Sequence, residues 1–185
     1  MSWDNNNLAC ILIFPPWQRK GLGSLLMGVS YEISRREGIL GGPEKPISDL
    51  GKKGYKRFWA GEIARWILDL DLSGDETIVD PEECSQATWI ALEDCLLILR
   101  EMGVIEDAGL GPPRIQSPTD EEGTGAGANA GVPEEAKKEV QRVRISKSAV
   151  RQYIEGSNIS LFKTCDPNGF LGIAAPKATP SGDES

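Results

Sequence analysis

The 185-residue sequence contains no histidine. That absence excludes Ser-His and Cys-His catalysis and removes the usual general base, so acid–base chemistry would fall to a carboxylate, Lys, Tyr or Cys. The four cysteines are widely separated and include no Cys-x-x-Cys pair: Cys10, Cys84, Cys95 and Cys165. A structural zinc site is therefore not expected.

Long apolar runs and a secretion signal are also missing. A membrane-spanning helix needs roughly 18 consecutive apolar residues, and the sequence has no such run. Residues 1–7 are polar and carry no basic residue ahead of the short apolar run at 8–14, which makes a poor signal peptide and favours an intracellular protein. The basic stripe typical of a direct nucleic-acid reader is absent as well.

Charge is unevenly divided along the chain, whose net charge is −8. Residues 1–70 carry a net charge of +3 and residues 71–185 one of −11. A mildly basic first part suits an anionic cofactor, and an acidic remainder suits a cationic partner or simply solubility. The same choice applies to one acidic cluster, which either steers a basic peptide or forms a solvated linker: Asp75, Glu76, Asp80, Glu82 and Glu83.

The pattern of residues 8–70 predicts a strand followed by two helices. The continuous apolar run at 8–14, bounded by Asn and Pro, indicates a buried strand. Helical spacing predicts a helix over 22–37 that ends at Gly38, then a Gly/Pro-rich loop over 38–47. Ser48 and Asp49 are suited to cap a second helix. Its aromatic residues are predicted to lie in the core: Tyr55, Phe58, Trp59 and Trp66.

The remaining sequence is less regular. Residues 71–84 form an acidic connection, and a short helix at 83–88 with a helix at 91–102 would make a helix-turn-helix-like pair. Residues 107–139 are rich in Gly, Pro and acidic residues and are predicted to be a disordered insertion. A strand at 140–145, a helix at 146–155 and an extended segment at 160–175 are predicted before a polar tail.

A glycine-containing loop joins the first predicted strand to the first predicted helix, with the sequence Gln18-Arg19-Lys20-Gly21-Leu22-Gly23. Glycines allow close approach of the backbone, the N–H groups at a helix N-terminus donate to anions, and Arg19 and Lys20 add positive charge, so the loop suits a pyrophosphate. It matches neither the Walker A nor the dinucleotide-binding spacing. The two glycines could equally make only a tight turn.

The loop resembles the Gln/Arg-x-x-Gly-x-Gly/Ala coenzyme A motif of the GCN5-related acetyltransferase superfamily. Its surroundings resemble the MYST histone acetyltransferases, nearly without gaps over residues 7–67 and more loosely over 85–106 and 140–175. The segments that carry the resemblance are 7–12, 15–23, 30–32, 36–38, Tyr55–Trp59 and Gly42-Pro43-Glu44-Lys45-Pro46-Ile47-Ser48-Asp49-Leu50-Gly51. The sequence around Cys10 and Gly42 is most similar to that of the fungal silencing-type branch.

The resemblance implies an α+β fold in two parts. Residues 1–70 would form a GCN5-related acetyltransferase-like core, and 71–175 a winged-helix-like C-terminal lobe interrupted by the insertion at 107–139, with a disordered tail at 176–185. The family's zinc finger, its first strands and the lysine that it autoacetylates have no counterpart here. The sequence therefore predicts a partial domain, which leaves open a truncated gene model, a fragment or a short protein.

The implied activity is transfer of acetyl from acetyl-CoA to a lysine of a histone tail. Lysine has a pKa near 10.4 and must lose a proton before it attacks, so a base beside the amine is the main demand. Glu44 matches the family's catalytic glutamate, and Cys10 its active-site cysteine, which either carries a transient acetyl group or only lines the pocket. Without the resemblance, Glu44 would be an ordinary loop residue and Cys10 an inert buried thiol.

The remaining site residues follow from the same resemblance. The backbone of Ile11, Leu12 and Ile13 would contact the acetyl-pantetheine arm, and Ser48 would contact the cofactor, cap the second helix, or do both. The pyrophosphate would be held by Gln18, Arg19, Lys20, Gly21, Leu22, Gly23 and Ser24. Two positions depart from the family: Ile13 replaces a common Thr, and Arg57 replaces a Ser that often contacts cofactor.

Partners and location are likewise implied by the family. Histone tails, a multi-subunit chromatin complex and the nucleus are expected, with no metal, no direct nucleic-acid reading and no membrane. The alternative is a catalytically inactive acetyltransferase remnant or scaffold that works through protein contacts.

Overall fold

A computed structural model describes residues 6–8, 10–70, 76–103, 106–111 and 140–170. Within those ranges the chain forms helices and short strands. In chain order they are β1 (Asn6–Leu8), α1 (Leu22–Glu37), β2 (Gly42–Pro43), α2 (Asp49–Asp69), β3 (Glu76–Val79), α3 (Pro81–Thr88), α4 (Leu92–Glu101), β4 (Glu106–Gly111), β5 (Val140–Ser146) and α5 (Lys147–Gly156). Single 3-10 turns lie at Pro15–Trp17 and Pro167–Gly169. This mixture agrees with the predicted α+β class.

Both ends of α1 and the start of α2 are set by local sequence. Gly21 precedes α1 and Gly38 follows it, both with positive φ (80° and 70°), a conformation that glycine adopts without steric cost. At the start of α2, the Ser48 hydroxyl accepts a hydrogen bond from the Gly51 N–H at 3.1 Å, which satisfies one of the helix's unpaired donors.

Helix α2 is the centre of the core. It packs against α1, α3, α4 and α5, and its 21 residues make it the longest described element. Tyr55, Phe58 and Trp59 are buried, as predicted, whereas Trp66 is only partly buried against the same cluster. The Trp59 indole N–H donates to the Tyr31 hydroxyl at 2.8 Å, which joins α2 to α1 through a buried polar contact.

Two small sheets flank the helices. Strand β1 pairs with β2 in parallel, while β3, β5 and β4 form an antiparallel sheet in that order. Strands β4 and β5 pair across residues far apart in sequence, with a register irregularity between Asp107 and Leu110 where Gly109 has φ of 80°. A glycine at positive φ is the usual residue at such a bulge.

The predicted strand at 8–14 is wrong for most of its length. Strand β1 ends at Leu8, and residues 10–14 are irregular backbone. Leu12 and Phe14 are 75% and 67% exposed. An apolar run becomes a buried strand only when neighbouring strands pair with its backbone hydrogen-bonding groups. Among the described residues, β1 pairs only with the two-residue strand β2, so the rest of the run has no strand partner.

Later elements correct the predictions at three places. The connection at 71–84 contains β3 and the start of α3, and residues 107–111 of the predicted insertion belong to β4; residues 71–75 and 112–139 lie outside the described ranges. Where an extended segment was predicted over 160–175, residues 160–170 are irregular backbone with one 3-10 turn at Pro167–Gly169, and 171–185 also lie outside the described ranges. The helix-turn-helix-like pair, the strand from 140 and the helix after it are confirmed as α3, α4, β5 and α5.

Candidate active site

The loop that carries Glu44 is joined to the segment that carries Cys10. Strand β2 pairs with β1, and immediately after it the Glu44 N–H donates to the Leu8 carbonyl oxygen at 3.2 Å. This backbone contact fixes the position of Glu44 relative to Leu8 without using the Glu44 carboxylate, which stays exposed.

Glu44 and Cys10 line one cavity of about 430 Å³, hereafter the Cys10–Glu44 cavity. Its walls come from the segment after β1, from α1, from the β2–α2 loop and from the first turns of α2. The other lining residues are Leu8, Ile11, Met27, Pro43, Pro46, Ile47, Ser48, Leu50, Gly51, Gly54 and Tyr55. The structure thus brings together four of the sequence-predicted site residues, two of them with chemistry suited to acyl transfer.

The other predicted site residues lie apart from this cavity. Leu12, Ile13 and residues 18–24 do not line it. Ile13 instead accepts a hydrogen bond from the Gln18 side chain, whose Nε2 lies 2.9 Å from its carbonyl oxygen. Ser24 lines a second, smaller cavity of about 110 Å³ between α1, α2 and the segment after α5.

Residues 18–24, hereafter the cradle, turn sharply into α1. Arg19 and Gly21 have φ of 60° and 80°, and the Lys20 ammonium lies 5.0 Å from the centre of the Trp17 ring. The first N–H groups of an α-helix have no partner within the helix, and no acidic residue lies in the first turn of α1. The cradle therefore presents donors and positive charge where an anion would be stabilised.

A segment after α5 supports the start of α1. The Thr164 hydroxyl donates to the Ser24 carbonyl oxygen at 3.3 Å. Arg57, which stands where the resemblance leads us to expect a Ser, donates to the carbonyl oxygens of Ser157 and Asn158 at 3.1 and 2.6 Å. The arginine thereby links α2 to the segment after α5. Arg65 similarly donates to the Phe162 carbonyl oxygen at 3.1 Å.

The first turn of α4 abuts the Glu44 loop from the other side. Gly41 forms a parallel bridge with Ile90, and the Lys45 ammonium lies 2.6 Å from a Glu93 carboxylate oxygen. A Cβ on Gly42 would lie 3.8 Å from an Asp94 carboxylate oxygen. Because Asp94 is half-buried there, desolvation raises its pKa to about 6, with Glu93 adding to the rise and Lys45 opposing it.

This carboxyl makes stability depend on pH. The folded-state pKa of Asp94 is about 6, above the value near 3.9 of an unfolded chain, so its contribution is fully present below about pH 4 and is lost as pH rises through 6. We expect Asp94→Asn to raise the free energy of unfolding by roughly 1 kcal/mol at pH 7, a figure reduced for residual solvent exposure, and by much less at pH 4. Urea unfolding of both proteins at the two pH values tests this. A difference that stays constant with pH would contradict it.

Some members of the acidic cluster, for which steering of a basic peptide and a solvated linker were the two alternatives, make structural contacts. Glu76 pairs with Arg144 at 3.7 Å, and the buried Asp80 caps α3 by accepting from the Glu82 N–H at 2.8 Å. Asp75 lies outside the described residues. Within the described ranges, no group of three or more possible metal ligands converges, and no helix has the length and apolar character needed to cross a membrane.

Comparison with known proteins relates the sequence of this chain to one family. The model of the MOZ/SAS family matches residues 1–118. The chain is 42% identical to histone acetyltransferase MOF of Drosophila melanogaster over 105 residues, which is 57% of this chain and 12% of that protein. It is 40% identical to histone acetyltransferase SAS2 of Saccharomyces cerevisiae over 105 residues, covering 57% and 31%.

A third similar protein is histone acetyltransferase esa1 of Emericella nidulans, 49% identical over 81 residues, or 44% of this chain and 15% of that protein. The matched part of the chain thus spans less than a third of the length of these curated relatives. Since proteins bearing three different names match at 40–49% identity, identity alone does not assign a branch, and the fungal silencing-type assignment stays a prediction.

Proposed function

The chain belongs to the MOZ/SAS family of MYST histone acetyltransferases, and from this premise we propose that it transfers acetyl from acetyl-CoA to a lysine side chain of a histone tail. The observation that carries the proposal is the Cys10–Glu44 cavity, where an exposed carboxylate and an exposed thiol share one concave site. The activity, substrate and partners of its longer relatives are extended to this chain only as part of the proposal.

In the proposed reaction Glu44 is the general base. A protonated lysine must lose two protons in total. The first passes to the Glu44 carboxylate, which frees the lone pair of the amine to attack the thioester carbonyl. As the C–N bond forms and the C–S bond breaks, the thiolate of coenzyme A leaves with the electron pair of the C–S bond. The second proton leaves the nitrogen and neutralises that thiolate, and Glu44 returns its own proton to water.

The other residues bind and orient the reactants. Cys10 lines the cavity, and direct attack on acetyl-CoA needs no acetylated cysteine. The backbone of Ile11, Leu12 and Ile13 is proposed to contact the acetyl-pantetheine arm, and the cradle to hold the pyrophosphate. Ser48 lines the cavity and caps α2, so both roles considered for it are compatible.

The element order supports a two-part division of the domain. We propose that the segment up to residue 70 is a GCN5-related acetyltransferase-like core and that 71–175 form a winged-helix-like lobe. The strand-helix-helix-strand-strand order of β3 to β5, with the antiparallel sheet order β3-β5-β4, supports the proposal of such a lobe. Membership of a multi-subunit chromatin complex in the nucleus completes the proposal.

A second candidate function is that of a catalytically inactive scaffold. Its supporting observation is that three large apolar side chains near one another in sequence, Leu12, Phe14 and Trp17, are exposed, since clustered exposed apolar side chains often mark protein contacts. A scaffold would transfer no acetyl group to any histone peptide, whereas the enzyme would acetylate at least one. Radiolabelled acetyl transfer from acetyl-CoA to peptides of the four core histone tails separates the two.

Binding of acetyl-CoA provides a sharper test of the cradle. We expect Gly21→Glu to weaken binding at least about tenfold, because it places a carboxylate at the helix N-terminus where the pyrophosphate would lie. The matched control is Gly38→Glu at the other end of α1. Both glycines have positive φ, and a Cβ at either would have no neighbour within 4 Å, so the backbone strain is comparable. Titration calorimetry that shows equal losses in both variants would contradict the proposed cradle.

A further inference from the structure

The segment after α5, residues 157–165, runs along one stripe of α2 before it reaches α1. Its contacts with α2 are spaced four residues apart, which puts them on the same side of the helix: Arg57, Gly61 and Arg65. The two arginines donate to backbone carbonyl oxygens of the segment, and a Cβ at Gly61 would lie 3.3 Å from the Ser160 carbonyl oxygen. Side chains and backbone of α2 therefore hold the segment in place although it is irregular in structure.

The same segment contacts the start of α1 through Thr164. The Thr164 hydroxyl donates to the Ser24 carbonyl oxygen at 3.3 Å, and a Cβ at Gly28, one turn further along α1, would lie 2.9 Å from the hydroxyl oxygen of Thr164. The absence of a side chain at Gly28 thus lets the segment approach α1 closely. Thr164 is thereby fixed against the first turns of α1.

The start of α1 receives little support from packing. Residues 17–21 are exposed, a Cβ at Gly21 or Gly23 would meet no described atom within 4 Å, and the first buried residue of α1 is Met27. The first N–H groups of a helix have no carbonyl partner within it, so here they are the donors that the cradle offers to an anion. Helix ends with few buried contacts open at little cost in free energy, so an added hydrogen bond has a large influence on their geometry.

We propose that Thr164 is a positioning residue for acetyl-CoA and that its hydroxyl holds the first turn of α1 in the orientation in which the N–H groups bind the pyrophosphate. This inference rests on the proposed function. A carbonyl oxygen has two lone pairs, so the Ser24 oxygen accepts from Thr164 without giving up the hydrogen bond that the helix requires. The first turn is then ordered before the anion arrives, and less of the binding free energy is used to order it.

The proposed role concerns binding and not the chemical step. Thr164 and Ser24 line the second, smaller cavity and do not line the Cys10–Glu44 cavity. A change at Thr164 should therefore weaken the hold on the pyrophosphate and leave bound acetyl-CoA as reactive as in the wild type. An effect on KM without an effect on kcat separates this role from general support of the fold.

The test compares Thr164→Val, which removes the hydroxyl and nearly keeps the shape, with Thr164→Ser, which keeps the hydroxyl. We expect Thr164→Val to raise the Kd and KM for acetyl-CoA about three- to tenfold, as loss of one ordinary hydrogen bond would, with kcat within about twofold of wild type. Thr164→Ser should keep the Kd within about twofold of the wild-type value. S-acetylpantetheine, which carries the same thioester and no pyrophosphate, should react with equal kcat/KM in all three proteins.

The matched control is Tyr31→Phe, which breaks a different hydrogen bond of α1. It removes the hydroxyl that accepts from the Trp59 indole N–H at 2.8 Å, a buried link between α1 and α2 beyond the first turns of α1. This variant should lose stability, because the indole N–H is left unpaired, and should keep the wild-type Kd for acetyl-CoA at a temperature where it is folded.

Several results would overturn the inference. Equal Kd values for Thr164→Val and wild type would show that the hydroxyl does not order the anion site. Equal losses in Thr164→Val and Thr164→Ser would assign the effect to packing, and a similar loss in Tyr31→Phe would assign it to lowered stability. An equal loss with S-acetylpantetheine would place the effect away from the pyrophosphate.

These failures are distinct from a failure of the proposed function. In each of them the wild-type chain still binds acetyl-CoA and Gly21→Glu still weakens that binding. A wild-type chain that neither binds acetyl-CoA nor acetylates any histone peptide would overturn the proposed function itself, and this inference with it.

Discussion

Replacing Glu44 with glutamine is expected to lower the rate of acetyl transfer by about a hundredfold or more, with the affinity for acetyl-CoA retained. Glutamine has nearly the shape of glutamate and cannot accept the proton of a lysine ammonium. The contact that positions this residue runs from its backbone N–H to the Leu8 carbonyl oxygen and does not change in the variant. The loss should therefore appear in kcat and not in cofactor binding.

The pH dependence of this variant distinguishes a base from a structural residue. Without a base, the rate should rise steadily with pH as more of the peptide lysine becomes neutral, so the gap from wild type should narrow at high pH. Glu37→Gln is the matched control, because Glu37 is an exposed glutamate at the end of α1 that does not line the cavity. Full rate in Glu44→Gln would refute the base assignment.

The second large effect is expected in stability. Gly28→Val should lower the free energy of unfolding by about 3 kcal/mol, because overpacking of a filled interior commonly costs about 1–3 kcal/mol. A Cβ at Gly28 would lie 2.9 Å from the Thr164 hydroxyl oxygen and 3.0 Å from the Cys165 Cβ. The segment after α5 would have to move away from α1, and the Thr164–Ser24 hydrogen bond would be lost with it.

A control for this change lies on the same helix. At Gly23 a Cβ would meet nothing within 4 Å, so Gly23→Val should change stability by less than about 1 kcal/mol. Urea unfolding of the two variants and the wild type gives the comparison. Equal stabilities of Gly28→Val and Gly23→Val would show that the segment after α5 does not pack against α1 as described.

The sequence alone predicts the parts of the fold that depend on local residues. Gly21, Gly38 and Ser48 mark the ends of α1 and the start of α2 through their own backbone or side-chain preferences, which need no distant partner. Strand β4 could not be predicted this way. Its sequence, Glu-Asp-Ala-Gly-Leu-Gly, has little tendency to form a strand, and it is one because β5 pairs with it across a long separation.

The same limit applies to the candidate site. Glu44 and Cys10 were identified by resemblance, and their shared cavity agrees with that prediction without testing their roles. Tyr55 was predicted only as core, because helical spacing indicates that a side chain points inward but not whether its polar atom finds a partner. The strand predicted over 8–14 is wrong for the opposite reason. Its apolar composition predicts burial, but burial also requires neighbouring strands, and among the described residues β1 pairs only with β2.

The contact between Thr164 and Ser24 has a consequence for the order in which the protein matures during translation. The ribosome completes the cradle 140 residues before it reaches the threonine that supports the start of α1. Arg57 and Arg65 on α2 likewise donate to carbonyl groups at 157–162, which are synthesised later. A nascent chain stalled before residue 157 can already contain the segments that form the Cys10–Glu44 cavity but not this support. The proposed binding of acetyl-CoA should therefore arise late in synthesis, after the loop that carries Glu44 has been made.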